Sequence, residues 1–131
     1  FIKRSSKPPT AIHCHDWQSA LVPVYLRSLY AADPFYEKTS VLFTIHNIGY
    51  QGLFPPEIVP LVSINKNLFR IEGLEYYGKV NFLKGGIIFS DFVSTVSQKY
   101  AEEIGADGYA PDAASATMLT TMKSASAPAD A

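Results

Sequence analysis

A single cysteine, Cys14, stands in 131 residues. A lone thiol excludes an internal disulfide framework and supplies no metal-ligand spacing by itself. Charge is also scarce: 18% of residues are charged and the formal net charge is −1. Proteins that grip polyanions usually carry a basic surplus or stripe. Neither is present, which disfavours nucleic acid as a partner. No apolar run approaches the roughly 18 residues a membrane-spanning helix needs, so no membrane span is expected. The stretch from Phe1 to Thr10 has neither an initiator Met nor the apolar run of a signal peptide. A strand pattern begins almost at once, and we read the chain as a piece of something larger.

What remains is a 47% apolar composition in a chain long enough to bury a core. Residues 1–104 mix apolar periodicity, aromatics and charges as a folded unit does. Residues 105–131 are rich in Ala and Ser and are expected to be a weakly ordered tail, with a short helix possible at 113–123. No internal repeat is visible.

Within the first 104 residues strand and helix patterns alternate. Thr10 to Cys14 reads as a buried strand after a Pro-Pro break. Asp16 stands where a helix N-cap is wanted. Residues 17–31 carry Leu21, Val24, Tyr25, Leu26 and Leu29 at helical spacing, with Pro23 near the start. Ser40 to His46 is a near-continuous apolar strand of the kind covered on both faces in parallel sheets. Residues 47–60 read as a loop, 68–77 and 77–90 as helices, Phe92 to Val96 as a third strand, and Gln98 to Ile104 as a helix capped by Ser97. This order predicts an α/β fold with a parallel sheet. In such sheets function gathers beyond the carboxyl ends of the strands.

Three clusters carry chemistry. In His13-Cys14-His15-Asp16-Trp17-Gln18 the two histidines share one strand face. With Asp16 they offer a candidate metal site, as in metal-dependent hydrolases. Set against it are His13 packed in the sheet and Asp16 as a plain helix cap. The second cluster, Phe43 to Gly52, ends a buried strand with His46 and Asn47 and carries Tyr50 and Gln51 in a loop bracketed by Gly49 and Gly52. Imidazole, carboxamide and phenol groups suit sugar hydroxyls, and aromatic faces stack on pyranose rings. The same glycines also suit a plain turn, and no dinucleotide fingerprint is present. The third cluster runs from Phe69 to Gly86. Lys84-Gly85-Gly86 lacks the spacing of a phosphate loop, and the glycine pair more simply permits close helix–strand packing. Glu72 and Glu75 could pair as carboxylates on a helix face, although a solvated surface pair is the commoner arrangement. A non-catalytic carbohydrate-binding module would keep Trp17, His46 and Tyr50 as its contact surface.

Together the segments His13 to Leu26, Val41 to Phe54, Ile71 to Gly86 and Ser90 to Ile104 resemble, in order, the motifs of the glycogen and starch synthase family. The resemblance covers about residues 10–104. It implies a partial Rossmann-like sheet from the N-terminal half of a GT-B glycosyltransferase. Such enzymes transfer glucose from ADP-glucose, or UDP-glucose in some relatives, to the non-reducing end of an α-1,4-glucan, retaining configuration and requiring no metal or other cofactor. By position His46 matches the histidine that contacts the donor glucose, and Asp16 an acidic residue lining the sugar cleft. Trp17, Gln18, Asn47, Tyr50 and Gln51 are the expected substrate-binding positions. The family's Lys-x-Gly-Gly donor loop and its second domain, with the phosphate-clamping Arg and Lys, have no match in these residues. The resemblance therefore implies an internal fragment that is inactive alone, from a cytoplasmic enzyme if bacterial and a plastid one if plant or algal.

Overall fold

The computed structural model describes residues 7–106 and, for the backbone, 108–109. The expected helix at 113–123 and nearly all of the 105–131 tail lie outside those residues.

A parallel sheet organises the chain. Strand β1 (Ala11–His15) pairs with β2 (Ser40–Ile45), β2 with β6 (Phe92–Thr95), and β6 with β7 (Gly108–Tyr109), giving the order β1-β2-β6-β7. The expected α/β fold with a parallel sheet is thus what the chain adopts. Val41, Phe43 and Ile45 point to one face of β2 and enter the core with Val24, Leu74, Val80 and Leu83. The other face carries His13, His15, Thr44 and Ser94, as a two-residue side-chain period and the parallel register dictate.

The single helix expected over 17–31 is two shorter ones, α1 (Asp16–Ser19) and α2 (Leu21–Arg27). Pro23 has no N–H to return to the carbonyl of Ser19, and the helix divides at that point. It ends early because Ser28 leaves helical geometry and turns its hydroxyl back to the Val24 carbonyl at 2.6 Å. At this end of the sheet the Arg27 guanidinium meets Asp91 at 2.5 Å, and Asp91 also accepts the amide of Val41.

The loop after β2 contains β3 (Leu53–Phe54), and α3 (Ile58–Leu61) follows it. The two helices expected over 68–90 are corrected more deeply. Residues 66–68 form one 3-10 turn, β4 (Glu75–Tyr76) and β5 (Lys79–Asn81) form a hairpin, and only α4 (Phe82–Phe89) is helical. Tyr77 and Gly78 both take positive φ, 48° and 76°, as a two-residue hairpin turn requires. Glu72 and Glu75 therefore share no helix face. Glu75 accepts the Gly78 amide inside the turn. Lys84 donates its ammonium to the carbonyls of Ile71 and Glu75, which occupies it structurally.

At the glycine pair of α4 the helix makes close approaches, Gly86 to the sheet and Gly85 to α2 and Leu74. A Cβ built on Gly86 would stand 2.5 Å from Phe43 Cζ, and one on Gly85 3.0 Å from Val24 Cγ2. Gly86 provides the helix–strand packing expected of the pair, whereas Gly85 packs against helix α2 and Leu74. Helix α5 (Gln98–Ile104) starts where expected: Ser97 Oγ accepts the Tyr100 amide, and Gly105 closes the helix at φ 65°.

Candidate functional site

Parallel pairing brings the carboxyl ends of β1, β2 and β6 side by side, and the expected site residues collect along that rim. Asp16 does not cap α1 as expected. His15 is the N-cap residue and makes no side-chain cap bond, while Ser19 Oγ ties back to the His15 backbone. Asp16 takes a positive φ of 53°, which non-glycine residues rarely adopt and which functional sites often store. Its carboxylate turns toward the neighbouring strand end. There Oδ1 accepts the amides of His46 at 2.8 Å and Asn47 at 3.4 Å. Asp16 is thus the clamp that sets where the His46-Asn47 turn leaves the sheet.

A polar stripe crosses the three strands on the face opposite the core. His13 Nε2 lies 2.7 Å from Thr44 Oγ1, which lies 2.8 Å from the fully buried Ser94 hydroxyl. The rings of His13 and His15 stack with centroids 4.0 Å apart, and His15 Nδ1 meets His46 Nε2 at 3.1 Å. Burial first, then the neighbouring His15 and His46, pushes His13 down to about 4. His15 is lowered too, by burial and then by His46, with Asp16 opposing. Among the described residues no group of three or more His, Cys, Asp or Glu is placed to hold a metal ion. Burial raises the Cys14 thiol to about 11, so it remains a protonated core side chain.

The low proton affinity of His13 has a definite sign. The unfolded chain protonates this ring near its ordinary value, while the fold resists until about pH 4. Stability from this site is full above pH 6.5 and falls as the pH drops from 6.5 toward 4. His13→Asn is expected to flatten that part of a urea-midpoint profile. An unchanged slope would show that His13 is not its source.

Two grooves open beside the stripe. One, of about 470 Å³, is lined by His46, Asn47, Ser97, Lys99, Tyr100 and Glu103 among others. The second, of about 530 Å³, is lined by Trp17, Tyr50, Gln51, Leu53, Phe54 and Tyr76 among others. The first offers donors and acceptors suited to a polyhydroxyl ligand. The second offers aromatic faces, with Tyr50 69% exposed. The expected residues therefore divide: His46 and Asn47 on one side, Trp17, Tyr50 and Gln51 on the other, with Asp16 joining them through the backbone. Gln18 is exposed and lines neither groove. Gln51 Oε1 is taken by Asn81 Nδ2 at 2.6 Å, a structural use of that side chain.

The loop between the grooves is tied down residue by residue. Ile48 donates its amide to Tyr100 Oη at 2.8 Å, and Gly49 donates to Asn47 Oδ1. The carbonyls of Gly52 and Gln51 accept the amides of Phe82 and Leu83, and Asn81 Oδ1 accepts that of Lys84. The loop thereby satisfies the otherwise unpaired amides at the start of α4. Gly52, at φ 63°, lies against the Trp17 indole, where a Cβ would approach ring carbon Cε3 to 2.7 Å. Sequence reasoning missed Tyr100, Lys99 and Asn81. For Lys99 and Tyr100 the available signal was the third strand end, after Val96, where α5 begins; for Asn81 it was an Asn standing before the helix that became α4.

The chain is also similar to known proteins. The family model for the starch synthase catalytic domain matches residues 1–114. The chain is 59% identical over 96 residues, 73% of its length, to a glycogen synthase of Koribacter versatilis. It is 47% identical over 109 residues, 83% of its length, to one of Thermotoga maritima. Those matches cover 20% and 22% of the two relatives, so the chain spans about a fifth of their length. Among solved structures, the catalytic domain of starch synthase IV from Arabidopsis thaliana, bound to ADP and acarbose, superimposes with a TM-score of 0.72 at 32% identity. That superposition covers 95% of this chain and 25% of the other. The parallel sheet, the rim that carries His46 and Asn47, and these matches together identify the chain as a member of the starch synthase catalytic-domain family.

Proposed function

We propose that these residues form one wall of the sugar cleft of a retaining glucosyltransferase. In this reading the whole protein moves glucose from ADP-glucose, or UDP-glucose, to the non-reducing end of an α-1,4-glucan. The observation that carries the reading is the Asp16 clamp, which fixes His46 and Asn47 at the carboxyl end of the central strand in a chain of this family. His46 would contact the donor sugar near its reacting carbon. Asn47 would bind hydroxyls, and Trp17 and Tyr50 would offer stacking faces to glucose units. Such groups act by orientation and by stabilising charge that develops on the sugar. The parent enzyme would then be cytoplasmic if bacterial and plastid-located if plant or algal.

Two measurements test this. The 131-residue chain incubated with labelled ADP-glucose and glycogen is expected to transfer no label above blank, because one wall does not enclose a donor. Residues 7–106 exchanged into the Koribacter versatilis glycogen synthase are expected to support transfer within about tenfold of the parent. His46→Ala in that exchanged protein should lower kcat by about a hundredfold or more, the scale of a lost transition-state contact. An unaffected His46→Ala protein would overturn the reading.

A further inference from the structure

We propose that His15 is a positioning residue for His46: the imidazole pair fixes the His46 ring and leaves Nδ1 as its one ring nitrogen open to a ligand. This inference rests on the functional reading of His46 given above.

The geometry arises from register. His15 pairs with Thr44 across β1 and β2, and His46 lies two residues beyond Thr44. Period two therefore places His13, His15, Thr44 and His46 on one face. On that face His15 Nδ1 stands 3.1 Å from His46 Nε2. His15 is itself fixed from below by the His13 ring at 4.0 Å, and His13 by Thr44 and Ser94. The backbone of His46 is held separately by Asp16. Main chain and side chain of His46 are thus anchored from the β1–α1 junction by two consecutive residues, the Asp16 carboxylate and the His15 ring.

The pair also restricts chemistry. A hydrogen bond between two imidazole nitrogens needs one donor and one acceptor, so the two facing nitrogens hold a single proton between them. The groups facing His15 are His13, His46 and Asp16. Burial opposes a charge on His15, so it remains a neutral partner near pH 7. An unpaired His46 at the exposed rim would be free to rotate about its side-chain bonds. Small displacements of a reacting group cost large factors in rate.

The test separates hydrogen bonding from packing. In the exchanged glycogen synthase, His15→Ala and His15→Phe are expected to lower kcat about tenfold, one hydrogen bond's worth of orientation. KM for ADP-glucose should stay within about twofold, as for a loss confined to the transition state. His15→Asn sets an amide group near the position of Nδ1 and is expected to return kcat to within about threefold. Full activity of His15→Phe, whose ring preserves the stack on His13, would overturn the proposal in favour of packing. A second readout needs no activity. In the 131-residue chain with labelled histidines, a scalar coupling should link His15 Nδ1 to His46 Nε2. Its absence, with the native amide spectrum present, would also overturn the proposal. If the coupling is present and His46→Ala leaves transfer unchanged, the pair stands and the functional reading fails.

Discussion

Gly86→Ala is expected to be among the most damaging single-methyl additions to this chain, costing about 2–4 kcal/mol in a urea titration. The added carbon would stand 2.5–2.9 Å from three carbons of the Phe43 ring, which is fully buried on the central strand. Alanine gains about 1 kcal/mol of helix propensity over glycine, but here that gain is outweighed by a rigid ring with nowhere to move. Gly85→Ala provides the contrast. Its nearest neighbours, at 3.0–3.3 Å, are methyl and branch carbons of Val24 and Leu74. They can yield by tenths of an ångström, so the net change should stay within about 1 kcal/mol. Trp17, the one tryptophan, packs against the core and reports unfolding by fluorescence. If the ring is the cause, Phe43→Leu should partly rescue Gly86→Ala, with a coupling of about 1 kcal/mol or more. Equal losses at the two glycines would refute this account of the interface.

The second large effect is expected at Asp16, where one side chain carries both a backbone clamp and a positive φ of 53°. Asp16→Ala should cost about 1–3 kcal/mol, since it removes a charge-assisted hydrogen bond to the His46 amide and leaves a poorly suited residue in the left-handed region. Asp16→Gly relieves the backbone and should lose about 1 kcal/mol less. Asp16→Asn retains the oxygen acceptor and tolerates that φ, so it should remain within about 1 kcal/mol of the native chain. The same series separates positioning from charge in the exchanged transferase. If Asp16 acts through the His46-Asn47 turn, Asn should keep activity within about tenfold, while Ala loses about a hundredfold. Equal losses in Asn and Ala would assign the role to the carboxylate charge.

Much of the sheet was legible in the sequence. Val41 to Ile45 and Phe92 to Val96 are short runs bounded by turn residues, and burial on both faces writes such runs plainly; Thr10 to Cys14, at the sheet edge with only Cys14 buried, was marked instead by the Pro-Pro break before it. Ser97 announced its cap because Ser before a helix has few other uses. The hairpin at Tyr77-Gly78 was obscured because its first turn residue is a tyrosine, where Asn or Asp would have signalled the positive φ. Glu75, Tyr76, Lys79 and Val80 also carry no strong strand preference as a group. Asp16 was misread because Asp after a strand ordinarily caps a helix, and only the backbone angle turns its carboxylate to the next strand. Tyr100 was invisible for another reason: its hydroxyl serves a residue 52 positions away, a relation that only the crossover creates. The candidate site was legible as a list of residues, not as two grooves on either side of one anchored loop.

The anchoring of that loop has a thermodynamic consequence. From His46 to Gly52 each residue has a backbone or side-chain polar group already bonded within the chain, to Asp16, Tyr100, Asn47, Asn81 or the first amides of α4. Its conformational entropy is given up when the chain folds. A ligand arriving at either groove would meet a loop whose backbone needs little further ordering, and ordering of exposed tips such as Tyr50 is the main entropic loss left to binding. Weak individual contacts can then sum to useful affinity, because the backbone that presents them is already in place.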